Sequence, residues 1–242
     1  MSGFQDRVFA EQQETVAAFK FDEAVARVFP DMIQRSVPGY SMVVSMIGLV
    51  ADRYARPGTN IYDLGSSLGA VSIAMRHAVS HENCRIIAID NSEAMTERCE
   101  KIIAEDDGGI PVDVLCGDIR ETMIENASVA ALNFTLQFIP VEDRLDLLKS
   151  IRNGLCSGGA LILSEKLAFP AQHQTILDTL YYDYKRANGY SELEISQKRT
   201  ALENVLVPES LDEHRERLIE AGFRHVVPWY QGFNFCSLLA VR

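Results

Sequence analysis

The run Asp63-Leu64-Gly65-Ser66-Ser67-Leu68-Gly69 joins a β-rich pentapeptide to a helical stretch, and it offers a carboxylate, two hydroxyls and two glycines in seven residues. Glycine has no side chain, so the backbone there can approach a ligand closely, and the helix that follows presents free amide groups to it. Three more polar pairs stand where later β-rich runs end. They are Asp90-Asn91, Asp118-Ile119 and Asn133-Phe134. A carboxylate in the position of Asp90 can accept both hydroxyl protons of a ribose. Ligands of open parallel sheets bind outside the carboxyl ends of the strands, so four polar strand ends in order point to one nucleoside-bearing ligand.

Two other chemistries use similar residues. An acidic residue after the second strand is also expected of a nicotinamide enzyme, but this loop lacks G-x-G-x-x-G and its tight pyrophosphate turn. Asp63 before the loop suits a ligand with an ammonium group, which favours S-adenosylmethionine. Gly65-Ser66-Ser67-Leu68-Gly69 also matches the G-x-S-x-G nucleophile elbow of hydrolases. That elbow follows several strands, whereas this one follows the first; His214 and His225 come late enough to complete a triad, so the hydrolase reading is disfavoured and kept open. Otherwise these two, with His77, His81 and His173, read as surface or ordinary polar positions.

The elements that must position these residues alternate. Phe21 to Gln34 reads as helical up to an interruption at Pro30, and Ser36 to Gly39 as a loop. Val43, Met46, Ile47, Val50 and Tyr54 recur at helical spacing until Pro57-Gly58. Strands are expected at Asn60 to Leu64, Arg85 to Asp90, Val112 to Cys116, Val129 to Phe134 and Ala160 to Glu165. Helical stretches between them imply a parallel sheet covered on both faces. From about Thr175 to Val205 the chain is mainly helical and too long for an ordinary connection, so it reads as a lid or interface arm. Ser210 to Glu213 fits a capping box, the helix it starts ends at Ala221-Gly222, and Val226 to Tyr230 with Phe233 to Val241 forms a terminal hairpin. Residues 1–20 carry no periodicity and are expected to be a mobile or loosely docked arm.

Composition narrows the classes. With 242 residues, 47% hydrophobic and 24% charged, the chain has globular proportions and length for one large core. No stretch approaches the roughly 18 apolar residues that span a bilayer, and Met1 to Gln13 is polar where a signal peptide is apolar, so a soluble, cytoplasmic protein without membrane contact is expected. The net charge of -11 disfavours direct nucleic-acid binding and favours small-molecule partners. Lys185, Arg186, Lys198 and Arg199 nevertheless fall in one short segment, which reads either as a local site for an anionic ligand or as a solvated helix face. The five cysteines lack C-x-x-C spacing and suggest neither disulfides nor a metal site; they are taken as buried thiols.

Asp63-Leu64-Gly65, Asp90, Asp118, Asn133 and Ser157-Gly158-Gly159 together resemble the ordered motifs of class I methyltransferases. Three further segments resemble the carboxy-S-adenosyl-L-methionine synthase family within that superfamily: Phe29-Pro30-Asp31-Met32-Ile33-Gln34-Arg35-Ser36-Val37-Pro38-Gly39-Tyr40, Leu132 to Phe138, and Lys185 to Arg199. The similarity runs from about Phe21 to the C-terminus. It implies a Rossmann-like class I methyltransferase fold, an α/β domain with a mostly parallel seven-stranded sheet, a C-terminal antiparallel hairpin and helices on both faces. One domain would comprise an N-terminal arm and helices (1–56), a cofactor-binding core (57–166), a helical lid or dimer arm (167–207) and a C-terminal helix and hairpin (208–242).

The resemblance also implies a reaction in which S-adenosyl-L-methionine, as substrate, and prephenate become carboxy-S-adenosyl-L-methionine and phenylpyruvate, with no metal. The product would serve a separate tRNA carboxymethyltransferase acting on the wobble uridine, so the chain would not touch tRNA. Carried over by position, Tyr40, Gly65, Ser66, Ser67, Asp90, Asn91, Asp118, Ile119 and Asn133 would bind the cofactor. Arg199 would hold the new carboxylate, with Tyr40 and Arg199 as the catalytic pair. Family members are dimers, so the arm bearing Arg199 could serve its own subunit or its neighbour. Ser66 replaces the family's usual cysteine, a nearly isosteric change. An ordinary methyltransferase acting on a small molecule is the second reading.

Overall fold

The computed structural model describes residues 4–242. Two helices, α1 (Glu23–Ser36) and α2 (Tyr40–Tyr54), precede an alternating core of β1 (Asn60–Leu64), α3 (Ala70–Ala78), β2 (Arg85–Asp90), α4 (Glu93–Glu105), β3 (Val112–Cys116), β4 (Ala127–Asn133), α5 (Val141–Gly154) and β5 (Leu155–Lys166). An arm of α6 (Ala171–Ala187) and α7 (Glu192–Leu202) follows, then α8 (Leu211–Glu220), β6 (His225–Gly232) and β7 (Phe235–Val241). The sheet order is β3-β2-β1-β4-β5-β7-β6. The first five strands are parallel, and β7 pairs antiparallel with both β5 and β6. This is the expected architecture.

Side chains alternate across a strand, so each strand feeds two cores. Ile61, Val129, Ala131 and Ile162 point to one face and pack against α2 and α3. Leu64, Ala130, Leu132 and Leu163 point to the other and meet α5 and α8. Burial on both faces explains why β4, Ala-Ser-Val-Ala-Ala-Leu-Asn, is nearly continuous in small and apolar residues.

Four expectations change. Helix α1 runs through Pro30, because one lost backbone bond is outweighed by the buried stripe Val25, Ala26, Val28 and Met32. Strand β4 starts at Ala127 and stops at Asn133, since Phe134 turns to φ 62°. Strand β5 starts at Leu155: Ser157-Gly158-Gly159 is an irregularity within it, with Gly158 at φ 72°, and the register with β4 shifts there. Residues 4–20 form no helix or strand, yet they are docked. Asp6 and Phe9 are buried, the Gln197 amide donates to the carbonyls of Phe9 and Glu11 at 2.9 Å, and the Phe19 amide donates to Ala201 at 2.8 Å. These contacts all end on the arm, so the N-terminal segment fastens α7.

A second fastening holds the arm's other end. Arg144 on α5 has no exposed surface; it pairs with Glu209 and donates to the carbonyls of Ile139 and Val207 at 2.9 Å. Glu209 also accepts from Arg217 on α8. Removing one member of a buried charge network leaves uncompensated charge behind. Glu209→Ala is expected to destabilise the fold by about 3–5 kcal/mol in urea unfolding; a loss below about 1 kcal/mol would show that the network is dispensable.

Candidate functional site

A cavity of about 680 Å³ opens above the carboxyl ends of β1, β2, β4 and β5, under a roof made by α6, α7 and the segment around Phe19 and Phe21. Its floor is built by glycine and by hydrogen bonds from the sheet ends. Gly65 sits at φ 84°, and a Cβ on it would fall 2.3 Å from Thr135 Oγ1, so a side chain is excluded twice over. The Ser67 amide donates to Asp90 Oδ2 at 2.9 Å and the Ser92 amide to Oδ1 at 3.0 Å, which ties the glycine loop to the end of β2. Asp90 therefore does part of its work on the protein and keeps only its remaining lone pairs for a ligand. At the end of β4, Asn133 Oδ1 is buried with no partner, and so is Ser66 Oγ; both residues line the cavity. Buried polar atoms are usually satisfied; of the unpartnered ones here, those of Ser66 and Asn133 belong to residues that line the cavity, where a ligand's polar groups could meet them, whereas those of His214, Trp229 and Asn234 do not.

Charge is sorted along the cavity. Asp63, 1% exposed, accepts from Ser72 Oγ at 2.6 Å; burial nevertheless pushes its carboxyl up to about 6. Burial likewise raises Asp90, and burial beside Asp63 raises the Tyr40 phenol, which stays a neutral donor. Asp118 behaves oppositely: its fork with Arg120 holds it below the usual carboxylate range. At the roof end the sign reverses. Lys166, Lys185, Lys198 and Arg199 all line the cavity. Lys185 is buried and stands 4.6 Å from the centre of the Tyr181 ring, with Lys166 5.1 Å from the same centre. Lys198 is held by Ser36 Oγ at 3.0 Å and lies 3.8 Å from Asp6; burial brings its ammonium down to about 8.

Tyr40, Gly65, Ser66, Ser67, Asp90, Asn91, Asp118, Ile119, Asn133 and Arg199 thus border one space. Of the basic segment, Lys185, Lys198 and Arg199 face the cavity, while Arg186 is outside and pairs with Asp183 and Glu192. The nucleophile-elbow alternative finds no support: the Ser67 hydroxyl meets the Met95 sulfur at 3.5 Å, and no histidine borders the cavity among the described residues. His214 is not a surface residue; it is buried on α8 near Glu209 and Arg217, and burial brings its ring down to about 4, so it is neutral. Nor are all the thiols buried, since Cys116 is exposed and Cys156 half-buried.

Comparison with known proteins fits this geometry. A family model described as a methyltransferase domain matches residues 61–159. Carboxy-S-adenosyl-L-methionine synthase of Geobacter sp. is 55% identical, with 98% of both chains covered, and the enzyme of that name from Shewanella pealeana is 53% identical over the full length of both. The chain belongs to the carboxy-S-adenosyl-L-methionine synthase family. It is accordingly an enzyme, a transferase. Solved structures agree on the fold: magnesium protoporphyrin IX methyltransferase from Synechocystis with bound SAH aligns at TM-score 0.61 and 18% identity, covering 98% of this chain and 91% of that one. Human N-acetylserotonin methyltransferase in complex with SAM aligns at 0.60 and 16% identity, covering 91% and 55%.

Several lining residues of this synthase-family chain escape sequence reasoning. Lys166 is the last residue of β5, so the strand-end rule that singles out Asp63 and Asp90 applies to it equally. Phe134 and Phe235 border the cavity as part of an apolar cluster with Tyr181, a role that no spacing announces. Among the described residues, no helix is long and apolar enough to cross a membrane.

The raised carboxyl of Asp63 has a sign. Its folded-state value lies above the ordinary 3.8, so its stabilising contribution is full at pH below about 4 and is lost as pH rises through 6. Asp63→Asn keeps an acceptor for Ser72 and removes the buried charge. Urea unfolding of the ligand-free protein is expected to show a gain approaching 3 kcal/mol at pH 7 and little gain at pH 4; equal losses at both pH values would contradict the assignment.

Proposed function

We propose that this chain converts S-adenosyl-L-methionine and prephenate to carboxy-S-adenosyl-L-methionine and phenylpyruvate. The observation that carries the reading is the two-ended cavity: acceptors for an amino acid and a nucleoside at the sheet edge, cations under the roof. The orphaned Ser66 Oγ and Asn133 Oδ1 fit a ligand rich in polar groups. Asp63 would face its ammonium group, and Asp90-Asn91 its ribose hydroxyls. Tyr40, the Gly65-Ser66-Ser67 backbone, Asp118-Ile119 and Asn133 would complete the envelope. When bound, S-adenosylmethionine supplies a methyl group whose protons the neighbouring sulfonium acidifies.

The chain's own residues orient, neutralise and exclude water. The Arg199 guanidinium makes no hydrogen bond or ion pair among the described residues, and Arg199 borders the cavity. Its planar fork would hold the transferred carboxylate through two parallel hydrogen bonds, a geometry Lys198 cannot reproduce. Loss of carbon dioxide and hydroxide makes the ring of prephenate aromatic, and the hydroxide is itself a base, so no protein base is required. The roof of α6 and α7 would keep water from a reactive intermediate. In this reading the protein works as a cytoplasmic homodimer, and its product is passed to a separate enzyme that carboxymethylates the wobble uridine of tRNA, without direct binding of tRNA here.

Mass spectrometry of the adenosyl species formed with and without prephenate tests the reaction. A carboxylated adduct only when prephenate is present is the expected outcome; demethylated cofactor with a methylated acceptor would point to an ordinary methyltransferase and overturn the reading. Arg199→Ala is expected to bind S-adenosylmethionine within about threefold of wild type and to form product about 100-fold more slowly; unchanged turnover would refute the role given to Arg199.

A further inference from the structure

Lys185 is 4% exposed and has no hydrogen bond or ion pair from its ammonium group among the described residues. Lysine is almost never buried this deeply without a partner. Its charged neighbours make this worse: Lys166 on β5 and Lys198 on α7 repel it, and only Asp6 attracts it, while Asp6 is already engaged with Lys198 and the Tyr190 hydroxyl. The Tyr181 ring gives both Lys185 and Lys166 an aromatic face, but ring attraction is weaker than the hydration each ammonium has lost. A packing role alone would be better served by methionine, which fills the same volume without charge. All three lysines line the cavity, which gives a counter-anion a way to reach them.

We propose that Lys185 and Lys166, with Lys198 positioned behind them by Asp6 and Ser36, form an anion subsite that grips a carboxylate of the second substrate, an aromatic-sized dicarboxylate. The walls fit a ring as well as a charge. Phe134 and Phe235 meet edge to face with centroids 5.8 Å apart, Phe235 meets Tyr181 at 5.3 Å, and Tyr40 stands 6.4 Å from Phe134. This line of rings runs from Asn133 at the nucleoside end to the lysines under the roof. A flat, doubly charged molecule would therefore be held by aromatic faces along its length and by lysine at its far end, leaving Arg199 free for the carboxylate that is transferred.

The subsite rests on the proposed reaction, and two measurements separate their fates. Steady-state kinetics of Lys185→Met and Lys166→Met should show KM for prephenate raised at least 30-fold and KM for S-adenosylmethionine within twofold of wild type. The thermal midpoint of ligand-free Lys185→Met should equal or exceed that of wild type, because a buried amine without a partner is gone; a purely structural cation would lower it. Calorimetric titration with prephenate alone reads the subsite without turnover. Binding that is lost in both variants supports the subsite even if wild type forms no product. Turnover by wild type with unchanged prephenate affinity in both variants overturns the subsite and leaves the reaction standing, and absence of prephenate binding to wild type overturns both.

Discussion

The physical constraint on which this molecule depends is that positive charge must be kept dry above a sheet edge that is itself lined with carboxylates. Lys185 and Lys198 are buried, Lys166 is half-buried, and Asp63 and Asp90 stand at the other end of the same cavity. Groups of opposite sign would pair if the backbone brought them together. They are held apart because the acids belong to β1 and β2, while two of the lysines ride on α6 and α7 and the third ends β5. The separation costs stability, and the fold recovers it through apolar burial on both faces of the sheet and through fastenings at both ends of the arm.

Those fastenings explain features that would otherwise look incidental. The N-terminal segment contributes Asp6 to Lys198 and the carbonyls of Phe9 and Glu11 to Gln197, so residues without secondary structure set the position of α7. Arg144 and Glu209 fix the chain where the arm returns to the core. Asp90 anchors the glycine loop through the Ser67 amide and the start of α4 through the Ser92 amide before it meets any ligand. Preorganisation of this kind leaves little to rearrange when substrates arrive, which is how fixed dipoles and charges lower a barrier.

Much of the architecture is legible in the sequence because its determinants are local. Alternating β-rich and helical runs give the parallel sheet, and the polar residues ending β1, β2 and β4 fall together in one cavity by topology alone. What escapes depends on distant partners. Pro30 does not break α1 because a buried stripe holds the helix across it, Ser157 to Gly159 bend a strand instead of ending it, and residues 4–20 are docked by contacts with residues nearly 200 positions away. The basic segment shows both limits. Its charge is visible in the sequence, but whether Lys185 faces solvent or a cavity is decided by the packing of α6, through Tyr181, on Phe235.

The central claim is that the cationic roof turns a methyltransferase fold to carboxylate transfer. Its most direct test is to supply prephenate carrying ¹³C in the ring carboxylate, together with S-adenosylmethionine, and to follow the label by NMR. The account predicts that the label appears in the adenosyl-bearing product, bonded to the former methyl carbon. Label found only in free carbon dioxide and bicarbonate, with the adenosyl species unlabelled, would contradict it.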